Sequence, residues 1–556
     1  MIGVIADPLD HVVVREFFEL FKTPWEFYSA DRQYTAVVCA GEFRIVSNAT
    51  VVIHYSSEKL DREVRRPGKC SGQSKASTIF LYGGNQIPIY GSTTTFPVGS
   101  GCFLVDEDTQ QCAGYLDKGK ESHIVRVGYD LFDEVRTLLT VGQPAVNAAI
   151  PTFELHIALL RDIITGCGCS LTEIPPVPVG FKCIACLTHD VDHPSIRRHR
   201  WDHTMFGFIY RAVFGSLKRI LLGRISARDL LANWSAVLKL PFVYLGFAKD
   251  FWRNFDKTYL MLEGGIHSTF FVIPFKGRPG KKTDGPAPAI RGAGYGARDI
   301  AESIQKLMSS GSEVGLHGID AWIDASNGRE ELEEIRELTG SSEVGVRMHW
   351  LYCDQNSPAL LETAGAAYDS TSGYNETVGY RAGTTQAFKP LNTTRMLELP
   401  LHAMDTALFY PSYLGLSEQD ATNRLRQLAD AALLYGGAFT INWHDRSLAP
   451  ERLWGESYRS LIQELKNRGA WFATAGEAVS WFQKRRSASF TANSAGQGGL
   501  SVVMAPDHHP DELPALRLRV HPSRPTIAAR VRSSEEYLDS PVDSFRGATV
   551  ASEAAR

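Results

Sequence analysis

Residues 181–193 read FKCIACLTHDVDH, and this stretch decides how the central part of the chain folds. Residues 181–187 are apolar apart from a single lysine, which predicts a buried strand. Polar side chains follow at once, including the carboxylates of Asp190 and Asp192. In parallel α/β folds, binding and catalytic groups lie at the carboxyl ends of the strands. The stretch therefore predicts a strand with functional groups at its end.

The same alternation of apolar strand and helix recurs after this stretch. Further strands are predicted at residues 268–273, 313–316, 344–348, 367–368, 397–401, 438–443 and 471–473, with helical patterns between them. Repeated βα units of this kind predict a parallel sheet or a closed barrel. The predicted fold class is α/β, with a distorted β/α barrel over residues 181–485.

The chain is 556 residues long, and domains usually hold roughly 100–200 residues, so more than one domain is expected. The run IPPVPVG at residues 174–180 is typical of a stiff joint between domains. We therefore expect an N-terminal α/β accessory domain over residues 1–175. Residues 486–556 are predicted to be a linker and a small C-terminal extension that contains strands.

Ionisable groups recur at the ends of several predicted strands. His317 and Asp320 follow the strand at 313–316, and His349 follows the strand at 344–348. Others of this kind are Arg347, Asp369, Asp405 and His444. A single histidine after a strand is more often a structural residue. Several groups at one end of a barrel would meet at one mouth, and this coincidence predicts an active site.

These motifs resemble those of the NodB-homology polysaccharide deacetylases, carbohydrate esterase family 4, in a divergent branch. The resemblance covers residues 181–485 and implies a NodB-type barrel. THDVD at 188–192 resembles the first motif, so Asp190 would be the catalytic base and Asp192 a metal ligand. GYRAGT at 379–384 resembles the third motif, whose arginine, here Arg381, orients the base. NWH at 442–444 resembles the final motif, whose histidine, here His444, is the general acid.

Three further residues are candidates for substrate binding. LPLHAMD at 399–405 resembles the fourth motif, which lines the acetyl pocket, and it ends in Asp405. Tyr380 and Trp443 belong to the third and final motifs. Aromatic faces commonly stack on sugar rings, although packing inside the barrel is the alternative for such residues.

The second motif departs from the family pattern. The family has H-[ST]-x-x-H, which supplies two zinc ligands four residues apart, whereas this chain has His317 followed by Ala321. His349 is the preferred replacement because it follows the adjacent predicted strand, and Asp320 is the second choice. A set of Asp192, His317 and His349 would leave an open position for water, as catalytic zinc sites do.

The resemblance implies hydrolysis of an N-acetyl group on a sugar during assembly of a cell-surface glycan, with a divalent metal, zinc in the family. One alternative is hydrolysis of another amide on the same fold. The other is a catalytically inactive barrel that binds sugar, which the missing second histidine would fit. The joint presence of Asp190, Asp192, Arg381 and His444 favours an enzyme, because a purely structural barrel does not need them together.

The composition narrows the class and location of the protein. A net charge of −4 does not suggest a nucleic-acid partner. The first residues lack the pattern of a secretory signal, and no apolar run of about 18 residues occurs, so we expect a cytoplasmic protein with reduced cysteines. The pairs at 167/169 and 183/186 could hold a structural zinc. A buried strand is the preferred interpretation of the second pair, because a three-residue offset separates its side chains onto opposite faces.

A helical insertion is expected at about residues 201–262. Residues 206–251 are both apolar and basic. Such a segment can lie on an anionic membrane, here as peripheral contact with the inner membrane surface. The alternative is a helical hairpin packed on the barrel, and we favour it because amphipathic helices usually bury their apolar face in their own protein.

Overall fold

The computed structural model describes residues 1–41, 48–58, 77–97, 101–119, 122–492, 500–505, 512–527 and 537–542. These residues form two large sheets, one N-terminal and one central, with three small groups of strands beside them. Each large sheet has its own apolar core.

The N-terminal sheet has nine strands and is mixed. Its order is Trp25–Phe27, Ile2–Ile5, Tyr34–Ala40, Ala49–Tyr55, His123–Val127, Cys112–Lys118, Cys102–Asp106, Thr78–Tyr82 and Asn85–Ile89. The first five strands are parallel to one another, and the later pairs are antiparallel. The helices that contribute to its core are His11–Phe21, Leu131–Thr140 and Thr152–Gly166.

The central sheet is parallel throughout, as a chain of βα units requires. Its order is Leu397–Glu398, Tyr368–Asp369, Val346–Met348, Glu313–Gly318, Thr269–Val272, Ile184–Val191, Ala438–Asn442 and Ala403–Met404. Trp471–Phe472 also pairs with Ile184–Val191. The helices of this region are Phe255–Glu263, Ala301–Ser309, Ala325–Thr339, Ser357–Ala364, Asp405–Phe409, Glu418–Tyr435, Glu456–Asn467 and Ala475–Ser487.

The two edge strands of the central sheet are consecutive in the sequence. The residues between them span the gap: the Leu401 N–H donates to the Ser372 carbonyl, and the His402 N–H donates to the Thr440 carbonyl. The strand predicted at 397–401 is present only at Leu397–Glu398, because the chain then crosses from one edge of the sheet to the other. The result is an α/β chain with a curled parallel sheet that forms a half-barrel.

The strand that carries the first motif begins later than predicted and runs further. It spans Ile184–Val191, so Asp190 lies inside the strand and not after it. The Thr188 hydroxyl donates to a backbone carbonyl of the neighbouring strand at 2.8 Å, and the His189 ring lies 2.9 Å from the Glu263 carboxylate. A buried strand tolerates polar side chains when their hydrogen bonds are satisfied, and hydropathy alone does not show this.

The insertion consists of the helices His203–Tyr210, Ser216–Leu221 and Ala227–Leu245, with a π-helical turn, Arg211–Gly215, between the first two. One side of it packs in a small core that includes Phe208, Leu240 and Trp252. Within the described residues no helix is both long and apolar enough to cross a membrane.

The C-terminal part packs against earlier parts of the chain. The linker expected from residue 486 is wrong at its start, where the helix Ala475–Ser487 leads directly into a strand. Arg485 is buried and donates to the carbonyls of Ile174 and Leu20, both at 2.9 Å. Arg517–His521 pairs with Leu171–Glu173. Residues 543–556 of the predicted extension lie outside the described residues.

Residues 379–388 join the central region to the N-terminal unit. The Tyr380 N–H donates to the Ala148 carbonyl at 2.7 Å, and the Thr384 hydroxyl donates to the Glu154 carboxylate at 2.6 Å. The segment that resembles the third motif is therefore held against the N-terminal unit. The N-terminal unit and the central region are in contact, although the predicted boundary at residue 175 lies between them in the sequence.

Candidate active site

Three side chains from the central sheet converge at the carboxyl end of its strands. Asp192 and His349 each follow directly after a strand, and His317 lies within Glu313–Gly318. One potential ligand atom of each lies within 4.8 Å of the other two. The Nε2 atoms of His317 and His349 are 3.5 and 3.6 Å from Asp192 Oδ1. The structure thus brings together the three residues predicted as metal ligands, and we refer to them as the candidate metal group.

The hydrogen bonding of the candidate metal group fits a bound cation. Asp192 Oδ1, which faces both imidazoles, is buried and has no hydrogen bond to any described residue. His317 Nδ1 lies 2.8 Å from the Arg347 carbonyl, which turns its Nε2 towards Asp192. Buried polar atoms are rarely left unpaired. A carboxylate with two imidazoles is a ligand set that zinc and other divalent metals accept.

The protonation states of the group also suit a metal. Burial would raise the pKa of Asp192, but contact with His317 and the nearby imidazoles of His349 and His444 hold it well below its usual range. Burial is the largest effect on His349 and holds its pKa well below its usual range. Ionised carboxylates and neutral imidazoles are the forms that bind metals.

The structure does not support two other metal-site predictions. The Asp320 carboxylate accepts the Lys281 N–H at 2.8 Å and does not belong to the candidate metal group. Cys183 and Cys186 lie in different cores, as opposite faces of one strand require. In the described part of the chain, the candidate metal group is the one cluster of histidine, cysteine and acidic residues with metal-ligand spacing.

Asp190 lies beside the candidate metal group and is held by two side chains. Its Oδ1 accepts Arg347 Nη1 at 3.1 Å, and its Oδ2 accepts Asn442 Nδ2 at 2.7 Å. His317 Nε2 is 3.8 Å from Asp190 Oδ2. Arg347 is fully buried and also donates to the Ser370 carbonyl at 3.0 Å. The carboxylate therefore has a fixed orientation next to the proposed ligands.

The prediction that Arg381 orients Asp190 does not agree with the structure. The Arg381 guanidinium donates to the Gly373 carbonyl at 3.0 Å and lies over the Tyr374 ring, at the contact with the N-terminal unit. Arg347 takes the expected position beside Asp190. Its place at the end of a predicted strand is a signal for this role, and the resemblance to the third motif pointed elsewhere.

His444 reaches the same site from the end of the strand Ala438–Asn442. Its Nδ1 lies 2.6 Å from Asp405 Oδ1, and its Nε2 lies 3.7 Å from Asp192 Oδ2. Burial would lower the pKa of His444, but the charge and hydrogen bond of Asp405, together with Asp192 and Asp190, raise it to about 10. Asp405 is fully buried, so it positions His444 and does not line the cavity.

The other two predicted substrate-binding residues are structural. Tyr380 is fully buried, and its hydroxyl donates to the Leu428 carbonyl. Trp443 is also fully buried, and its indole N–H donates to the Trp454 carbonyl at 2.6 Å. Neither lines the cavity. Packing, the alternative for these aromatic residues, accounts for both.

The site opens into a cavity of about 380 Å³. Asp190, His444 and the candidate metal group all line it. Its aromatic lining consists of Trp350, Tyr352, Tyr410 and Tyr413. Trp350 and Leu351, directly after His349, have φ angles of 62° and 53°. Such left-handed backbone in side-chain-bearing residues is strained and concentrates at functional sites.

No protein-family model matches the chain, and no curated protein matches it. Some solved structures do match. A protein of Mycobacterium smegmatis described as a polysaccharide deacetylase is 18% identical, with a TM-score of 0.34 over 56% of this chain and 94% of that one. PdaA of Bacillus subtilis, a family 4 carbohydrate esterase, is 13% identical, with a TM-score of 0.24 over 40% and 73%.

The Bc1960 peptidoglycan N-acetylglucosamine deacetylase is also 13% identical, with a TM-score of 0.27 over 54% of this chain and 88% of that one. At these identities and TM-scores the matches do not establish a function for this chain. The chemistry of the site is therefore inferred from its own geometry.

Proposed function

We propose that the protein is a metal-dependent hydrolase that removes an N-acetyl group from a sugar. The observation that carries this proposal is that a base, an acid and a metal-ligand set line one cavity. They are Asp190, His444 and the candidate metal group.

The proposed reaction divides proton transfers between two side chains. A divalent metal at the candidate metal group would polarise the acetyl carbonyl and lower the pKa of the attacking water. Asp190, oriented by Arg347 and Asn442, accepts the proton of that water. His444, whose Nδ1 faces Asp405, presents Nε2 to the site and would donate a proton from that atom to the leaving amine, which otherwise departs poorly. The products are acetate and a free amino sugar.

The cavity lining supports a sugar as the substrate. Trp350, Tyr352, Tyr410 and Tyr413 all line the cavity, and each of these side chains combines an aromatic ring with one polar group. Flat apolar faces beside polar groups suit a sugar ring, which has apolar faces and a polar edge. Zinc is the proposed metal because one carboxylate and two imidazoles leave a position open for water.

The test combines metal content with acetate release. Wild type, His349→Ala and Asp320→Ala would be analysed for bound metal and assayed on N-acetylglucosamine oligomers. We expect about one zinc-like ion per chain in wild type and Asp320→Ala, and loss of both metal and acetate release in His349→Ala. Wild-type protein that takes up no metal, even when metal is supplied, would overturn the proposal.

Repeating the assay on acetylated non-sugar amides, together with a sugar-binding measurement, separates the two alternatives. Metal binding with acetate release only from non-sugar amides would identify a hydrolase of another amide. Sugar binding without acetate release from any substrate would identify an inactive barrel. Asp320→Ala is the matched control, because Asp320 lies near the site but bonds to the Lys281 N–H.

The insertion presents a second apolar side that its packing does not explain. Its exposed apolar residues recur every three or four positions, which places them on one side of each helical run. They are Phe206, Tyr210, Phe214, Leu217 and Leu221, then Leu231, Trp234, Leu238, Phe242 and Leu245. We call this surface the outer apolar stripe. The packed hairpin favoured from the sequence accounts only for the opposite, buried side.

We propose that the outer apolar stripe rests on an anionic lipid bilayer, where the protein acts in the assembly of a cell-surface glycan. Exposed basic residues accompany the stripe, including Lys218, Arg224, Arg228 and Lys239. Apolar area with an excess of lysine and arginine is the pattern of an interfacial helix, because anionic lipid attracts the basic side chains.

Vesicle flotation tests this contact. We expect wild type to float with vesicles of phosphatidylcholine and phosphatidylglycerol, and less with phosphatidylcholine alone. The triple variant Leu231→Ser, Leu238→Ser and Phe242→Ser should remain in solution. The control Leu9→Ser, Val146→Ser removes exposed apolar side chains elsewhere and should float as wild type does. Equal flotation of both variants would contradict the proposal.

A further inference from the structure

Three arginines that the proposed reaction does not use also line the cavity. One of them, Arg291, is bound to backbone carbonyls of the wall, including that of His349 at 2.9 Å, whereas the other two have donors that no described residue accepts. Those two are Arg446 and Arg452, which follow His444 in the same loop.

The charges of Arg446 and Arg452 both act on Tyr410, which also lines the cavity. Arg211, from the insertion, lies close enough for its charge to act on Tyr410 as well. Three guanidinium groups near one tyrosine of a sugar-sized cavity call for an explanation, since like charges repel in a buried setting.

Arg452 is only 1% exposed and has hydrogen-bonding capacity to spare. Its Nη2 donates to the Tyr410 hydroxyl at 2.7 Å. Its Nε and Nη1 are buried without a hydrogen-bond partner among the described residues. A buried charged donor without an acceptor is costly, so an acceptor from a ligand would complete the arrangement.

Arg446 is half-buried and equally open to a ligand. Its guanidinium lies 5.3 Å from the centre of the Trp252 ring, and among the described residues this side chain has no hydrogen bond or ion pair. Burial would raise the pKa of Tyr410, but the charges of Arg452, Arg446 and Arg211 lower it. The three cations therefore act on the same small region.

Two buried acids, Glu451 and Asp445, lie in the same loop as these arginines. Both carboxylate oxygens of Glu451 are buried without a hydrogen bond to any described residue. Burial raises the pKa of Glu451, and raises that of Asp445 to about 6. Neither Glu451 nor Asp445 lines the cavity, whereas Arg446 and Arg452 both do, so the two guanidinium groups are the charges of this loop that a ligand would meet.

We propose that Arg446 and Arg452 form a phosphate-binding subsite, so that the sugar that reaches the candidate metal group carries a phosphate group. This inference rests on the proposed function for the identity of the reaction. A carboxylate has two oxygens, which one guanidinium can satisfy in a forked pair. Two guanidiniums with the hydroxyls of Tyr410 and Tyr413 offer donors from several directions, which match the larger number of phosphate oxygens.

Calorimetric titration of the metal-loaded, full-length chain tests the subsite with sugars that carry no acetyl group. The probes are glucose, glucose 1-phosphate and glucuronic acid. We expect glucose 1-phosphate to bind at least about tenfold more tightly than the other two. Arg446→Gln should remove most of this preference. Arg459→Gln is the control, because Arg459 is an exposed arginine paired with Glu456 on a helix outside the cavity.

The outcomes separate this inference from the proposed function, because no probe can be deacetylated. Equal binding of glucose and glucose 1-phosphate would overturn the subsite. Glucuronic acid binding as tightly as glucose 1-phosphate would overturn the assignment to phosphate. A preference for phosphate that survives in both Arg446→Gln and Arg452→Gln would place the anion elsewhere, such as on the metal. Thermal melting of Arg452→Gln checks that the buried substitution leaves the chain folded.

Discussion

Asp190 accepts hydrogen bonds from one adjacent strand and from one that lies three places away in the sheet. Asn442 belongs to the adjacent strand Ala438–Asn442, and Arg347 to Val346–Met348. Arg347 reaches Asp190 across the inside of the curl. The position of Arg347 near a strand end marks it as a candidate, but the sheet curvature decides that it, and not another arginine, orients the base.

The structure predicts a large effect on catalysis for a change at Arg347 and a small effect for the same change at Arg381. Arg347→Lys keeps the charge but loses the planar fork that holds Asp190, so we expect acetate release to fall by about a hundredfold. Arg381→Lys alters a residue bound to the Gly373 carbonyl and should change the rate by only about twofold. The measurement is kcat for each variant with its metal content.

Metal content provides the control for this pair, since neither arginine belongs to the candidate metal group. Equal loss of activity in the two variants would mean that Arg381 affects the reaction through the N-terminal unit. A large loss in Arg381→Lys alone would restore the interpretation based on the third motif.

At two glycines, the packing of the surrounding elements decides whether a change to alanine lowers or raises the stability of the chain. A Cβ on Gly345, just before the strand Val346–Met348, would lie 2.0 Å from the Tyr368 ring. Tyr368 cannot move freely, because its hydroxyl donates to Glu313 at 2.8 Å. A Cβ on Gly215, in the insertion, meets its nearest atom at 3.6 Å, which is ordinary contact.

We therefore expect Gly345→Ala to destabilise the chain by about 1–3 kcal/mol through overpacking. Gly215→Ala should stabilise its helix by up to about 1 kcal/mol, because alanine loses less backbone entropy than glycine. Urea unfolding followed by circular dichroism measures both. A Gly345→Ala variant as stable as wild type would contradict the packing seen around Gly345, and a destabilised Gly215→Ala would contradict the room for a Cβ seen beside Gly215.

At the scale of the whole molecule, one buried carboxylate connects three distant parts of the chain. Glu173 accepts Arg161 Nη2 at 2.8 Å and lies 3.0 Å from His521 Nε2. Arg161 belongs to a helix of the N-terminal unit, and His521 to a C-terminal strand. Burial would raise the pKa of Glu173, but Arg161 and His521 hold it well below its usual range.

The sign of the pH dependence follows from this lowered pKa. A carboxyl group with a lower pKa in the folded state stabilises the fold above its unfolded pKa of about 4, and this contribution is lost as the pH falls. Glu173→Gln should lower the free energy of unfolding by about 3 kcal/mol at pH 7, because Arg161 then lacks its anionic partner. The difference from wild type should shrink below about pH 4. A difference that stays constant with pH would show that the charge of Glu173 does not contribute.

Much of the architecture and part of the site could be predicted from local patterns. The alternation of apolar strands and helices marks an α/β chain, and a parallel sheet collects the groups at its strand ends. Asp192, His317 and His349 follow from that rule, because each lies at or just after the end of a strand. These inferences need only the order of residues along short segments, and so they are available before any tertiary contact is known.

Other features depend on pairs of residues that are far apart in the chain. Asp190 and Arg347 are separated by 157 residues, and Asp405 and His444 by 39. Tyr380 and Trp443 belong to the expected motifs, yet packing buries both outside the cavity. Short-range periodicity specifies which residues lie at a strand end, whereas the curvature of the sheet and the packing around it specify which of them meet. That second step was decided only by the tertiary structure, because the energy of each such contact depends on both partners at once.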